Sequence, residues 1–443
     1  PPLRRAMSQR AERAWLVSFV AAQLLGACAL SVLARGGALP STLSVGVALS
    51  FAPYVGAAYF ARSLPSVRAS TRAALLASAV LGGAFLLAPP VFSDDLFRYL
   101  WEGRLWLEGA NPYQTPPDAP SLAALRDESW APINNKRLAS IYPPLAQALF
   151  VIAAALGAQV WTIKLLALAL HLLAIALVAR VSGDRRAPWA LGLNPLMLSE
   201  SAWNGHFDIG VGAALLLAAW SLSRSRFLSA GLATCAAVGL KVVGWLLVPL
   251  FWRRPRAMLA TAAGAAFLLT PMLLAQSPGS AVSGPGQFAT RWRGNESVFA
   301  FVDWLCGLAL PEEAAGYAAR VTVAIMMFAL VAIVIRRRVP PLDACRALIW
   351  AALLLSPQVH PWYLGWLLPL EVAAGGRAGL VWSAAILLAY APLDRWVAEG
   401  VWALPLWVQA LEYGVLFLAL LSDPRRPTLG EGGPTGQFDS DFQ

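Results

Sequence analysis

Charge is what this chain has least of. Only 13% of its 443 residues are Asp, Glu, Lys or Arg, and 58% are apolar. A soluble domain carries about 25% charged and about 45–50% apolar residues. So little charge cannot cover the surface of a soluble globule, which excludes a soluble enzyme, a disordered protein and a nucleic-acid binder. A bilayer must take up the excess. Lysine is scarcer still: Lys136, Lys164 and Lys241 leave 31 of the 34 basic residues as Arg, a coding bias that suggests a GC-rich bacterial genome. The four cysteines (Cys28, Cys235, Cys306, Cys345) are far apart, with no metal spacing and no disulfide framework. The three histidines (His171, His206, His360) are scattered, so no helical two-His metal motif exists. No cleavable signal peptide is visible.

What is abundant is apolar runs of about 17–25 residues, the length that spans a bilayer. They lie near 15–34, 42–61, 73–92, 144–159, 160–179, 187–203, 207–223, 227–252, 257–275, 316–335, 344–357, 378–396 and 400–421. Residues 298–310 and 361–373 are shorter and read as re-entrant or interfacial. Alternating barrel strands are absent, so the expected fold is all-α: one polytopic transmembrane unit over 1–422, followed by a disordered polar tail over 423–443.

The net charge of +10 reads as topology. Arginine clusters at 4–13, 62–72, 180–186, 224–226, 253–256, 336–338 and 425–426 mark cytoplasmic ends. That places the N-terminus in the cytoplasm, and 93–143, the turn near 204–207, 276–297 and 357–363 outside. Residues 144–179 resist this scheme. They read as two spans, yet Arg180–Arg186 requires one crossing.

Candidate chemistry sits at the outer edges. The 93–143 loop holds seven acids against five bases. It opens with Ser93 as a helix cap, followed by Asp94 and Asp95 in the first turn, where the helix dipole favours carboxylates. Arg98 and Glu102 follow at four-residue steps on the face of Asp94, and Leu96, Phe97, Leu100, Trp101 and Leu105 make an apolar face. The expected result is an amphipathic helix lying on the outer membrane surface. Carboxylates ionised there suit a base for a sugar hydroxyl or a metal ligand, or simply a helix start. Ile141-Tyr142-Pro143-Pro144 closes the loop. Asn204, His206 and Asp208, with Glu200 just before them, form an ionisable cluster at the membrane edge, a site by default or a polar turn. Lys241 inside an apolar run suits an anion such as a lipid phosphate, or snorkels if the run is two short helices. Arg291-Trp292-Arg293 suits a phosphate with a stacked sugar, or an aromatic belt with solvated arginines. His360, in His-Pro-Trp-Tyr, could orient a hydroxyl or phosphate, or belong to an interfacial turn.

Together these strings resemble a family. The acidic pair, Arg98-Tyr99-Leu100-Trp101-Glu102-Gly103-Arg104, Gly109-Ala110-Asn111-Pro112-Tyr113 and Ile141-Tyr142-Pro143-Pro144-Leu145 are similar to bacterial GT-C glycosyltransferases that use polyprenyl-phosphate sugars. The likeness is strongest to polyprenol-phosphate-mannose-dependent α-mannosyltransferases, and runs over residues 90–370 or so. It implies about 11–14 transmembrane helices, a bacterial plasma-membrane location and an extracytoplasmic site. It implies mannose transfer to a glycan or lipid-linked acceptor by inverting displacement. Asp94 or Asp95 would be the base. Arg98, Lys241, Arg291, Trp292, Arg293 and His360 would hold the donor, and Tyr142, Asn204, His206 and Asp208 the acceptor or a second acidic site. A divalent cation (Mg or Mn) would be optional. A protein O-glycosyltransferase and a lipid-linked sugar flippase are the rival readings.

Overall fold

The computed structural model describes residues 7–274, 286 and 292–424. Within these the chain is helical. The one β-bridge pairs Gly294 with Gln358. The helices run in order α1 (Gln9–Arg35), α2 (Pro40–Leu49), α3 (Phe51–Phe60), α4 (Val67–Leu86), α5 (Asp95–Leu107), α6 (Pro144–Ala155), α7 (Val160–Ser182), α8 (Ala187–Gly192), α9 (Pro195–Leu198), α10 (Asp208–Ser223), α11 (Phe227–Leu240) and α12 (Pro255–Leu274). After the undescribed stretch come α13 (Val298–Gly307), α14 (Glu312–Arg336), α15 (Pro341–Leu354), α16 (Leu364–Ala374), α17 (Ala378–Ala385), α18 (Leu393–Glu399) and α19 (Leu406–Ser422). Among the described residues, six stretches are long and apolar enough to cross a membrane, or seven if the bent pair around Asn204 is one span. By helix length the count falls below the expected 11–14, because several apolar runs fold as shorter helices. The chain is an all-helical, polytopic membrane protein.

Two runs resolve into something other than spans. Residues 144–159 form a helix of only 12 residues, about 18 Å at 1.5 Å per residue, against a hydrocarbon core of about 30 Å. This short α6 packs on α5, and α7 alone makes the traverse, so Arg180–Arg186 lies at the end opposite the acidic loop. The parity conflict of 144–179 disappears. Residues 227–252 are not one span but a hairpin. α11 climbs to Lys241, and a 3-10 helix, Val242–Phe251, returns beside it. Phe251 packs on Ala230 near the start of α11. Gly244 lets the two arms touch: a Cβ there would lie 2.5 Å from the Val238 nitrogen.

The arginine clusters at 62–72, 180–186 and 224–226 gather at one end of this body. Arg62 pairs with Glu12 at 3.0 Å, and Arg185 donates to the carbonyls of Arg62 and Leu64. Arg180, Arg224 and Arg226 surround the Trp220 ring. The acidic loop, the Lys241 tip and residues 292–296 and 356–363 meet at the other end. Of the first cluster, Arg4 and Arg5 lie outside the described residues, as do Arg425, Arg426 and nearly all of the expected tail.

Candidate functional site

A cavity of about 820 Å³ opens at the end opposite the arginines. Its walls come from the acidic loop, the hairpin tip, residues 292–295, residues 358–363 and the stretch from Ala389 to Leu404.

The first wall is α5. Helix capping falls one residue later than expected: Asp94 is the N-cap, Asp95 the first helical residue, and the Ser93 hydroxyl accepts from the Asp95 N–H at 3.2 Å. The helix does not lie on a surface. Arg98, Tyr99, Leu100, Trp101, Glu102, Gly103 and Leu105 are all buried. The charged stripe reads inward because Arg98 and Glu102 satisfy each other at 2.8 Å. Arg98 also donates to the carbonyls of Asn135 and Leu138, while Glu102 accepts from Ser140 and Gln147. Arg98 lines the cavity, but its guanidinium is committed to folding the loop back over α5.

That fold-back delivers Asn134, whose amide N–H groups bridge Asp94 and Asp95, the latter at 3.1 Å. Burial, and next the neighbouring Asp95 carboxylate, push Asp94 up to about 6. The pair is a poor cation site as arranged, because a hydrogen-bond donor already faces both carboxylates. Among the described residues, no group of three or more His, Cys, Asp or Glu could hold a metal ion.

The second wall is the break between α9 and α10. A single π-helical turn, Ser199–Trp203, precedes it, and the helix axes bend by 116°. Asn204 ties the break to the segment that leads into α5, its side-chain oxygen accepting from the N–H groups of Val91 and Phe92. Gly205 takes a left-handed φ of +78°, and a Cβ there would lie 2.8 Å from Leu96. His206 follows, buried, with Nδ1 2.8 Å from Glu200 and Nε2 4.0 Å from Asp95. Asp208 begins α10. It accepts from the Trp366 indole at 2.6 Å and faces the Lys241 ammonium at 3.4 Å.

Lys241 sits at the hairpin tip in extended backbone (φ −157°, ψ 140°), where the helical ladder is interrupted. Its ammonium lies 5.0 Å from the Tyr363 ring centroid. His360 and His206 stack on Trp362 at 4.2 and 4.1 Å. Burial pushes His360 down to about 3, so it is a neutral imidazole, and its Nε2 is 2.7 Å from the Gln358 amide. It can address a hydroxyl but brings no positive charge to a phosphate. Tyr142, also in the wall, is buried and held high by that burial.

Trp292 and Arg293 reach the cavity wall. The Arg293 guanidinium, however, is forked onto Glu296 at 2.6 and 2.7 Å and bound to Asp303 at 2.7 Å. Arg291 lies outside the described residues. Sequence reasoning missed Asn134, Tyr390, Gln358 and the apolar mouth of Trp396, Val397, Trp402 and Leu404. Only the two adjacent amides Asn134-Asn135, ahead of Tyr142, gave any signal for the first.

Residues 13–253, more than half the chain, match the model of the alpha-(1->6)-mannopyranosyltransferase N-terminal domain, the MptA_B family. No curated protein and no solved structure matches. The matched region carries both aspartates, Asn134, the break at 204–208 and Lys241. The chain belongs to this family of GT-C mannosyltransferases, and is a multi-pass membrane glycosyltransferase.

Proposed function

We propose that this enzyme transfers mannose from a polyprenyl-phosphate donor to a glycan or lipid-linked acceptor, by a single inverting displacement with Asp95 as the base. One observation carries the reading. A single cavity holds a carboxylate pair in one wall, a lysine in another, and an apolar aromatic mouth at its edge. An isoprenoid tail suits the mouth formed by Trp396, Val397, Trp402 and Leu404. The phosphate would then meet Lys241 and the sugar would meet Asp95.

The chemistry asks little more of the protein. As the acceptor oxygen bonds to the anomeric carbon, its proton passes to Asp95. The bond from that carbon to the phosphate oxygen breaks, and the electron pair leaves with the phosphate. A lipid phosphate leaves without a general acid, so a fixed positive charge near it is the useful device. Asp95 is preferred to Asp94 by its surroundings. It lies 4.0 Å from His206 Nε2 and its charge acts on Tyr142, His360 and Tyr363 around the cavity, whereas Asp94 takes the shorter bond from Asn134 and feels Lys136 of the loop. Asp94, bridged to Asp95 by Asn134, would support the base by holding it in place. The arginine end faces the cytoplasm and the cavity faces outward across a bacterial plasma membrane, as the positive-inside rule requires. Residues up to 422 act as one unit.

The test is turnover by the full chain in lipid nanodiscs, with a polyprenyl-phosphate-mannose donor and a mannose-terminated acceptor. Asp95→Asn should abolish transfer. Full turnover by both Asp94→Asn and Asp95→Asn would overturn the reading, as would movement of lipid-linked mannose across vesicles with no new glycosidic bond.

A further inference from the structure

Behind the base lies a buried chain of polar groups that the displacement itself does not use. Glu200 is almost fully buried in an apolar run, a costly place for a carboxylate without a purpose. One of its oxygens lies 2.8 Å from His206 Nδ1. The other accepts from the Tyr390 hydroxyl, with the Asn204 amide at 3.5 Å. With its proton on Nδ1, His206 donates to Glu200. That leaves Nε2, buried, without a hydrogen-bond partner, and 4.0 Å from Asp95. An orphan buried nitrogen pointing toward a carboxylate is an unfilled proton site.

We propose that His206, positioned by Glu200 and Tyr390, receives the acceptor's proton from Asp95. This rests on the reading of Asp95 as base. Asp95 first takes the proton from the acceptor hydroxyl, then passes it to His206 Nε2 and becomes a carboxylate again. The imidazolium is held between two carboxylates, Glu200 and Asp95, and stacks on Trp362. The proton returns to water through Asp95 after the product leaves. The separation of 4.0 Å closes to hydrogen-bond length during turnover, as catalytic contacts do when substrate binds. The other groups facing His206 fit this role. Tyr99 presents its ring edge at 6.5 Å. His360, neutral, lies beyond Trp362, and Lys241 is near enough to act on His360 as His206 does. Glu200 and Tyr390 touch no substrate; they are positioning residues.

The experiment compares pH–rate profiles of the full chain in nanodiscs, with polyprenyl-phosphate mannose and a mannose-terminated acceptor. His206→Gln should lower kcat by about 10²-fold, in the range of a lost proton-transfer group, with donor KM nearly unchanged. Glu200→Gln should lower kcat less and move the acid limb of the profile to lower pH, because the imidazolium loses its anionic partner. Glu200→Asp should restore part of both. A purely structural role would change the melting temperature and KM and leave the acid limb in place. Wild-type kcat and pH profile in folded His206→Gln would overturn the proposal while leaving an inactive Asp95→Asn, and so the base, intact. If His206→Gln does not fold, Tyr390→Phe decides: a displaced acid limb supports the relay, and a superimposed profile overturns it.

Discussion

The two ends of this molecule use the same scarce resource in opposite ways. At the arginine end, apart from the buried Arg346–Glu371 pair, charges lie near the surface and find partners in backbone carbonyls, tryptophan faces and the occasional carboxylate. At the cavity end, a set of charges is drawn into the protein. Arg98, Glu102, Glu200, His206 and Asp208 are all buried. An exposed ion pair contributes about 0.2–1 kcal/mol, whereas removing one partner of a buried pair costs about 3–5 kcal/mol. One end therefore tolerates change and serves orientation. The other is committed to a single arrangement, which is what a reacting site requires.

The largest contrast should come from the carboxylate pair. Asp95→Asn should reduce turnover by more than about 10³-fold, the scale of a lost essential base, measured as mannose transfer to acceptor. Asp94 separates activity from stability. Its folded-state value, raised to about 6 from 3.8, means the folded protein holds that proton more tightly than the unfolded chain. Its contribution to stability is full below the unfolded value and is lost as pH rises through 6. Asp94→Asn should thus raise the melting temperature at pH 8 while lowering turnover. A lowered melting temperature would mean that the Asn134 bridge outweighs burial and repulsion.

Next is Lys241→Met, which keeps the length of the side chain and removes its charge. Transfer should fall by about 10²–10³-fold, the scale of losing one electrostatic stabiliser, while the unfolding midpoint drops less, because Asp208 loses its cation but keeps its bond to Trp366. If turnover were unchanged, the lysine would serve only as a partner for Asp208. Glu102→Gln comes third. It leaves Arg98 buried without its anion, and should cost about 3–5 kcal/mol, read as a lower unfolding midpoint. Activity would fall with it, because Asn134 is carried by the loop that Arg98 pins.

Much of the cavity end could be read from the chain because its contacts are local. Arg98 and Glu102 are one helical turn apart, and the acids that begin α5 lie in sequence where a helix dipole favours them. Hydropathy located the helices but not their depth: a 26-residue apolar run and a folded-back hairpin have the same composition. The interruptions Gly239, Lys241, Gly244 and Pro249 were the only clue. What could not be read was long-range. Asn134 reaches Asp94 across 40 residues and Tyr390 reaches Glu200 across 190, and no local period encodes either meeting. The outward-lying helix was misjudged for a related reason. A charged stripe looks solvated until the loop that buries it is known.

The smallest effect is expected at the arginine end, and it is the control for all the others. Arg62 is about half exposed and pairs with Glu12 at 3.0 Å, while its guanidinium also sits 4.0 Å from the Tyr59 ring centroid. Arg62→Gln removes both contacts but leaves the carbonyl that accepts from Arg185. Solvent screening holds the loss to about 1 kcal/mol or less, a shift in unfolding midpoint of a degree or two with turnover unchanged. Its consequence should appear in orientation instead. Insertion follows the summed excess of positive charge, so one substitution leaves the topology fixed. Replacing Arg62, Arg68 and Arg72 together should produce a mixed population, scored by cysteine accessibility from each side of the membrane. If the triple variant lost turnover without losing orientation, the two ends would be coupled through the helices, and the separation between an anchoring end and a reacting end would fail.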